Sequence, residues 1–271
     1  RAWDRGGRGS IISLAGKVQL GIGAVVYASM YFYMALPGSF VLVYQWVNGA
    51  ENYNLLWAAN LGLALVLMLP PAFLMGVMFP LLVKGAANGS SEIGGAVGRV
   101  YGWNTVGAIL GASIGGILLL PSIHVRGAVL VAITVNIIAA IIAFRSRDAQ
   151  LPDDQRDVRK TRTQSVRLGG VIVLMHLLST VDIQSIGGDK SKEFPYWDPL
   201  LITSGTYKYV EYIPEESRNI IDVWGSVWAM GVQKWDLLYY DEGLSTVVTV
   251  AGDRYSDNIW LANNGKVDAS T

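Results

Sequence analysis

Long apolar stretches, separated by short polar segments, occupy the first two thirds of the chain. The clearest runs from Asn54 to Val83 and contains no charged residue. About 20 apolar residues suffice to cross a bilayer as a helix, so this stretch predicts a membrane span, and its three prolines predict kinks or breaks. The same criterion predicts spans over residues 18–36, 54–83, 100–120, 127–144 and 168–183.

The pattern changes after Asp182, where charged and aromatic residues become frequent. Residues 214–234 predict a helix, because a proline and two glutamates near its start suit a helix N-terminus. Short apolar runs separated by glycine-containing turns follow, and they predict β-strands. The last such run, with Ile259 and Leu261, leads into an Asn-Asn-Gly turn at 263–265, which predicts a hairpin.

These patterns predict a mainly α-helical membrane protein with about five transmembrane helices, followed by a small α+β extramembrane segment. We assign residues 1–183 to the transmembrane domain and residues 184–271 to the extramembrane segment. Composition agrees, since 52% of the residues are hydrophobic and only 15% are charged, whereas about a quarter are charged in soluble domains. The first expected partner is therefore the lipid bilayer.

The positions of lysine and arginine predict the orientation, because cytoplasmic loops carry an excess of both. Seven lie between Arg145 and Arg167, four lie in residues 1–17, and Lys84 and Arg99 flank the loop between the second and third spans. The other two loops hold only Arg126. We predict a multi-pass protein of a bacterial-type inner membrane, with a cytoplasmic N-terminus and an extracytoplasmic C-terminal segment if residues 168–183 cross.

Charge and residue content argue against several classes of function. Lys+Arg and Asp+Glu each number 21, so no basic surplus indicates nucleic-acid binding. The chain has no cysteine and two histidines, which excludes disulfides and thiolate metal sites and makes a histidine-built metal site unexpected. We predict neither a metal site nor a cofactor.

A regular row of small residues occupies the third predicted span. Gly107, Gly111 and Gly115 lie four residues apart, and Asn104 lies near one end. In lipid this spacing lets helix backbones approach closely, so we predict tight helix packing here rather than a substrate path. Asn104 is expected to hydrogen-bond between helices.

Three tryptophans of the extramembrane segment are interface candidates. Trp224 and Trp228 lie four residues apart on one face of the predicted helix, and Trp235 follows. Aromatic residues are enriched at interface hot spots, which predicts docking onto protein partners. The alternative is that they form a membrane-interface belt and a small core.

Several stretches, in the same order along the chain, resemble one family. The membrane half of the fused major-facilitator-like/spermidine synthase-like proteins is similar to "PAFLMGVMFPLLVK" and "VGRVYGWNTVGAILGASIGGILLLP". Their juxtamembrane segment is similar to "YWDPLLITSGTYKY", and the N-terminal β-segment of their synthase-like domain to "LLYYDEGLSTVVTVAGDRYSDNIWLANNGKVDAST". The resemblance implies that a Rossmann-like catalytic domain would follow Thr271, so that this chain carries only the start of the synthase-like domain.

The resemblance also implies one substrate-binding residue, Asp268. Spermidine synthases carry Leu-Asp-Gly-x-x-Gln where this chain reads Asn-Asn-Gly-Lys-Val-Asp, so Asp268 stands at the position of the glutamine. An acidic side chain there can attract a polyamine cation, although a solvated turn residue is the favoured interpretation. No catalytic residue is predicted.

Three functions remain open. We favour a non-catalytic or accessory subunit that docks in a larger membrane assembly with protein partners. The alternative is a membrane-anchored polyamine aminopropyltransferase whose catalytic domain lies outside this chain. The second alternative, a small-molecule transporter, ranks last because five spans cannot form two six-helix halves.

Overall fold

The computed structural model describes residues 8–87, 92–149, 164, 167–171, 174, 198–203, 205, 210, 220–243 and 245–271. The structure is mostly helical and ends in a four-stranded antiparallel sheet, which confirms the predicted class of an α-helical protein with a small α+β segment. It divides into two compact units. The first unit comprises Arg1–Ala28, Met68–Leu119 and Val125–Thr180. The second unit comprises Ser29–Leu67, Leu120–His124 and Val181–Thr271.

Long helices form the first part of the described chain. They are α1 (Arg8–Trp46), α2 (Tyr53–Ala86), α3 (Ile93–Ser113), a π-helical segment (Ile114–Leu119) and α4 (Leu120–Ala149). Two short helices follow, α5 (Pro199–Ile202) and α6 (Ile220–Trp228), and α6 continues into a π-helical segment (Ala229–Gln233). The predicted helix over 214–234 is therefore helical from Ile220 to Gln233, and the described residues do not include its start.

Three stretches are long and apolar enough to cross a membrane, namely Gly9–Tyr33, Tyr53–Ala86 and Ile93–Arg147. The predicted membrane character is confirmed at this level, but the described residues contain three such stretches rather than five. The third and fourth predicted spans share one helical run because the backbone stays helical through Pro121 and departs only at His124. The fifth predicted span, 168–183, lies largely outside the described residues.

Two helix boundaries also differ from the prediction. Helix α1 begins ten residues before the predicted start at 18, because Lys17 lies exposed on its side instead of ending it. Helix α2 has no break at Pro70, Pro71 or Pro80, where a kink or a break was expected. Neighbouring helices and local adjustments can satisfy the backbone groups that proline leaves free in a membrane helix.

In the first unit, close contacts join α1 to α4. A Cβ atom on Gly16 would lie 2.9 Å from the ring of Phe144, and one on Gly23 would lie 3.6 Å from the side chain of Ile133. The buried residues of α4 recur at alternating spacings of three and four, the pattern of a single packed face. They are Leu130, Ile133, Ile137, Ala140 and Phe144.

The second unit has two adjoining apolar clusters. The first joins the end of α1 to α6 and contains Val41, Leu42, Leu201, Val210, Val223, Val227 and Trp228. The second joins α5 to the sheet and contains Leu200, Ala251, Trp260 and Ala262. Helix α5 supplies a leucine to each cluster, and Asp198 caps this single turn by accepting the backbone N–H of Leu201 at 3.2 Å.

The sheet has the strand order β1-β2-β3-β4, all antiparallel. The strands are β1 (Trp235–Glu242), β2 (Val247–Asp253), β3 (Ile259–Asn263) and β4 (Lys266–Ser270). The predicted hairpin is confirmed, because Asn263 pairs with Lys266 across a two-residue turn. Asn264 and Gly265 both have positive φ, 49° and 74°, as a tight hairpin turn of this hand requires.

Both edge strands carry an irregularity. In β1 the pairing passes from Leu237 to Tyr239 while β2 advances by one residue, so Leu238 is an extra residue. In β4 the same happens at Asp268, between the pairs that Val267 and Ala269 make. Such bulges interrupt the row of backbone groups that an edge strand offers to another strand.

We expect Gly265→Ala to destabilise the sheet, because the left-handed backbone costs a residue with a Cβ about 1–2 kcal/mol. The added Cβ would also lie 3.1 Å from backbone atoms of Gly205 and Thr203. Thermal unfolding followed by tryptophan fluorescence measures the loss. Gly225→Ala, in α6 with nothing within 4 Å, is the control and should unfold at or above the wild-type temperature. If Gly265→Ala and Gly225→Ala unfold at the same temperature, the close approach of Gly265 to Gly205 and Thr203 is contradicted.

Candidate functional site

One face of the sheet, here called the outer face, carries apolar side chains and is not buried. Alternation along β2 buries Thr249 and Ala251 on one face and directs Val248 and Val250 to the other. Because directly paired residues share a face, the cross-strand partners extend this second face to β1 and β3. The apolar residues of the outer face are Leu238, Tyr239, Val248, Val250, Ile259 and Leu261. The same pairing places Asp241 and Asn263 on this face, both opposite Val248.

The outer face remains accessible. Leu238 is 56% exposed, Tyr239 is 52% exposed and Ile259 is 42% exposed, while the two valines are partly exposed. An antiparallel sheet with one solvated face normally alternates apolar and polar residues. Here apolar side chains around Val250 face outward although the inner face already contains the buried core, so the outer face can bury further area against another surface.

Polar side chains lie beside the apolar residues of the outer face. The Tyr239 hydroxyl donates to a carboxylate oxygen of Asp241 at 3.2 Å. The negative charge of Asp241, followed by this hydrogen bond, raises the pKa of Tyr239. The phenol therefore keeps its proton and presents a neutral aromatic ring beside the apolar residues.

The opposite, inner face of the sheet contains a hydrogen-bonded pair in a buried position. The hydroxyl of half-buried Tyr240 donates to Glu242, whose side chain is almost completely buried. Burial, then the hydrogen bond to Glu242 and the charge of that carboxylate, raise the pKa of Tyr240 well above its usual range. The phenol is thus a fixed donor at physiological pH.

His124 contacts this pair from the interruption in α4. Its ring centroid lies 5.9 Å from that of Tyr240, and the ring planes meet at 59°. Its backbone has φ 57° and ψ 175°, a region used almost only by glycine, where another residue costs about 1–3 kcal/mol. Its buried Nδ1 has no hydrogen-bond partner within the described parts of the chain. From the sequence, His124 was only one of two histidines. Its contact with Tyr240 could not be predicted, because the two residues are far apart along the chain.

The row of glycines in α3 and in the π-helical segment after it has no close neighbour in the described chain. A Cβ atom on Gly107, Gly111 or Gly115 would find nothing within 4 Å, and Asn104 is exposed. Gly16 and Gly23 of α1 are glycines that do approach another helix, α4. The sequence signal for these two residues was their seven-residue spacing, which places them on one face of α1.

Asp268 lies at the bulge of β4, on the surface. Its carboxylate accepts a hydrogen bond from the side-chain amide of Asn263 at 2.8 Å and lies 3.7 Å from the ammonium group of Lys266. A polyamine cation would compete with a lysine that is already present. This geometry matches that of a structural turn residue.

The three candidate interface tryptophans differ in environment. Trp228 is buried in the cluster between α1 and α6. Trp235 is partly buried and packs edge-on against Trp260, with ring centroids 5.5 Å apart. Trp224 lies in α6, and its side chain is outside the described atoms. Trp228 and Trp235 therefore contribute to the core rather than to an exposed interface, as in the alternative considered from the sequence.

Within the ranges that the structure describes, no three histidine or acidic side chains come together in a way that could hold a metal ion. Comparison with protein-family models, with curated proteins and with solved structures finds no match. The geometry of the described residues is therefore the basis for any proposal about function.

A polar cluster fixes the β2–β3 turn to the start of the sheet. Asp253 accepts the backbone N–H of Tyr255 at 2.9 Å and lies 3.3 Å from the ammonium group of Lys234. Arg254 donates to Asp236 at 2.7 Å and to the carbonyl oxygen of Gln233 at 2.9 Å. The backbone hydrogen bond from Tyr255, followed by the interactions with Lys234, lowers the pKa of Asp253.

We expect sheet stability to fall as the pH decreases below about 4, the usual pKa of an aspartate. Because the folded-state pKa of Asp253 is lowered, its stabilising effect is complete above the unfolded-state pKa and is lost as pH falls through the folded-state value. Asp253→Asn should reduce this part of the pH dependence. Thermal unfolding of both proteins between pH 2 and 6 measures it, and identical slopes would rule out Asp253 as a cause.

Proposed function

We propose that this chain is an accessory, non-catalytic membrane protein whose outer face docks onto a protein partner in a larger membrane assembly. The observation that carries the proposal is the apolar outer face of the sheet. Exposed apolar patches that continue across several side chains mark interaction sites more often than isolated apolar residues do. The proposal also includes the resemblance to the fused spermidine synthase-like family, which rests on the stretches of sequence quoted above.

The bulges at Leu238 and Asp268 favour docking through the face of the sheet rather than through its edges. A partner strand added at an edge needs an uninterrupted row of backbone donors and acceptors. Leu238 interrupts the register on one edge and Asp268 on the other. The partner is therefore expected to present an apolar surface to Val250 and its neighbours.

The alternatives have less support. For an aminopropyltransferase, Asp268 would have to bind an amine, yet Asn263 and Lys266 already contact it. For a transporter, ion coupling needs an ionisable group inside the membrane. The three candidate spans contain no acidic residue, so ion coupling would have to use a basic group such as His124 or Arg126 of the third.

We further propose that the sheet is extracytoplasmic. Val41 and Leu42 lie on α1 beyond the candidate span Gly9–Tyr33, and they pack against α6. The sheet would then lie on the side of the membrane where α1 ends, and the Lys/Arg distribution makes that side extracytoplasmic. His124, which contacts Tyr240, would be on the same side. In this topology the stretch Ile93–Arg147 crosses twice and turns near His124, so that Arg145 and Arg147 lie on the cytoplasmic side. The span that the sequence predicts over 168–183 would then return the chain to the extracytoplasmic side.

Labelling of single cysteines tests this topology, since the chain has no native cysteine. Ser256→Cys, on the β2–β3 turn, should react with a membrane-impermeant maleimide in intact cells. Ser146→Cys, at the end of α4, is the matched control and should react only after the inner membrane is permeabilised. Both residues are exposed. If the cysteines at positions 256 and 146 react equally in intact cells, the proposed placement of these two residues on opposite sides of the membrane is contradicted.

A charge on the outer face tests docking. We expect Val250→Arg to weaken the assembly at least tenfold, about 1.4 kcal/mol, because binding would then bury an unpaired charge. Native gel migration and light scattering of the protein extracted in mild detergent report the mass of the assembly. Tyr255→Arg, 83% exposed on the β2–β3 turn, is the matched control and should leave the mass unchanged.

Two results would overturn the docking proposal. One is a wild-type protein with the mass of a single chain in its detergent micelle. The other is an assembly that retains its mass in Val250→Arg while tryptophan fluorescence shows a folded sheet. A variant that keeps the assembly but loses binding to lipid vesicles would assign the outer face to the membrane surface instead.

A further inference from the structure

We propose that His124 is a hinge in α4 that the C-terminal sheet holds in its bent state. In this proposal, the ring of Tyr240 keeps the backbone of His124 out of the helical region, and loss of the ring contact lets the helix continue through residue 124. The contact between His124 and Tyr240 lies within the second unit, and the proposal does not depend on docking by the outer face.

The backbone at His124 is the first reason. The chain is helical on both sides, and His124 is the residue inside α4 that departs from helical angles. For an L-residue with a side chain, the angles observed at His124 are far less favourable than those of a right-handed helix. Such a conformation persists only where surrounding contacts favour it, and without them the helical conformation is the expected alternative.

The contact with Tyr240 is the second reason. Among the described aromatic contacts, this one joins His124 to the sheet, at a centroid separation of 5.9 Å. The Tyr240 ring is itself restricted, because its hydroxyl donates to the buried side chain of Glu242. A ring that is held at its far end can resist movement of the histidine, so the sheet can keep the helix bent.

The order of residues in β1 makes the idea testable. Tyr239 and Tyr240 are adjacent, but Tyr239 pairs with Val250 on the outer face and Tyr240 pairs with Thr249 on the inner face. Removing either ring takes away the same aromatic group from the same strand. Only the removal of the Tyr240 ring takes away the contact with His124, so Tyr239→Ala is a matched control for Tyr240→Ala.

Spin labels on the two sides of the hinge measure its state in the full chain. Cysteines at Ile109 and Val135, which are 62% and 59% exposed, carry the labels without interference from native thiols. A continuous helix would separate the two Cα atoms by about 39 Å, at 1.5 Å per residue. The wild-type protein in nanodiscs should give a shorter distance with a narrow distribution.

We expect Tyr240→Ala to shift the distribution toward the value for a continuous helix, and Tyr239→Ala to leave it as in the wild type. His124→Ala should shift it in the same way as Tyr240→Ala. Alanine, like histidine, favours right-handed helical angles, but it lacks the ring that contacts Tyr240. His124→Ala also covers the case in which Tyr240→Ala does not fold, since it leaves every side chain of the sheet in place.

The proposal is overturned if His124→Ala retains the wild-type distance. The bend would then be a property of the local sequence around Pro121 rather than of the contact with the sheet. It is also overturned if Tyr239→Ala shifts the distance as much as Tyr240→Ala does, because any loss of an aromatic ring from β1 would then suffice.

Discussion

The C-terminal part of the protein depends on one apolar junction, formed where the last turns of α1 meet α5 and α6. Val41 and Leu42 are excluded from solvent there, together with Val223 and Val227. Burying an aliphatic side chain of this size contributes about 1.5–3 kcal/mol. Without this junction, the described contacts that tie the sheet to α1 would be lost.

Helix α5 extends the junction to the sheet. Its consecutive residues Leu200 and Leu201 belong to different clusters, one next to the sheet and one next to α1. This single turn is too short to be stable alone. Asp198 and Pro199 favour its first turn, and Thr203 links it to the sheet because the Thr249 hydroxyl donates to the Thr203 hydroxyl at 2.9 Å.

The two faces of the sheet have different roles in this arrangement. The inner face is used within the chain, where it covers Leu200 and holds the Tyr240–Glu242 pair next to His124. The outer face carries apolar side chains around Val250 without a comparable cover in the described chain. Apolar exposure is ordinary on a helix that faces lipid, but on a small sheet outside the candidate spans it is the feature on which the proposed docking is based.

Patterns within short segments were sufficient to predict much of the fold. The lengths of the apolar stretches predicted the long helices, and the Asn-Gly pair predicted the last hairpin, because its residues tolerate the positive φ that the turn needs. These features depend on a residue and its near neighbours. The small residues of α3 were a weaker guide, because their use in packing depends on which helix lies beside them.

The sequence by itself determined the apolar spans, the turn at Asn264 and Gly265, and the absence of cysteine chemistry. Only the tertiary structure decided that Gly16 faces Phe144, that Trp228 is buried, and that His124 meets Tyr240. The physical reason is that helix periodicity and turn preference act over a few residues. A contact between remote residues depends instead on how whole elements pack, and no local pattern encodes which ring lies against the interruption in α4.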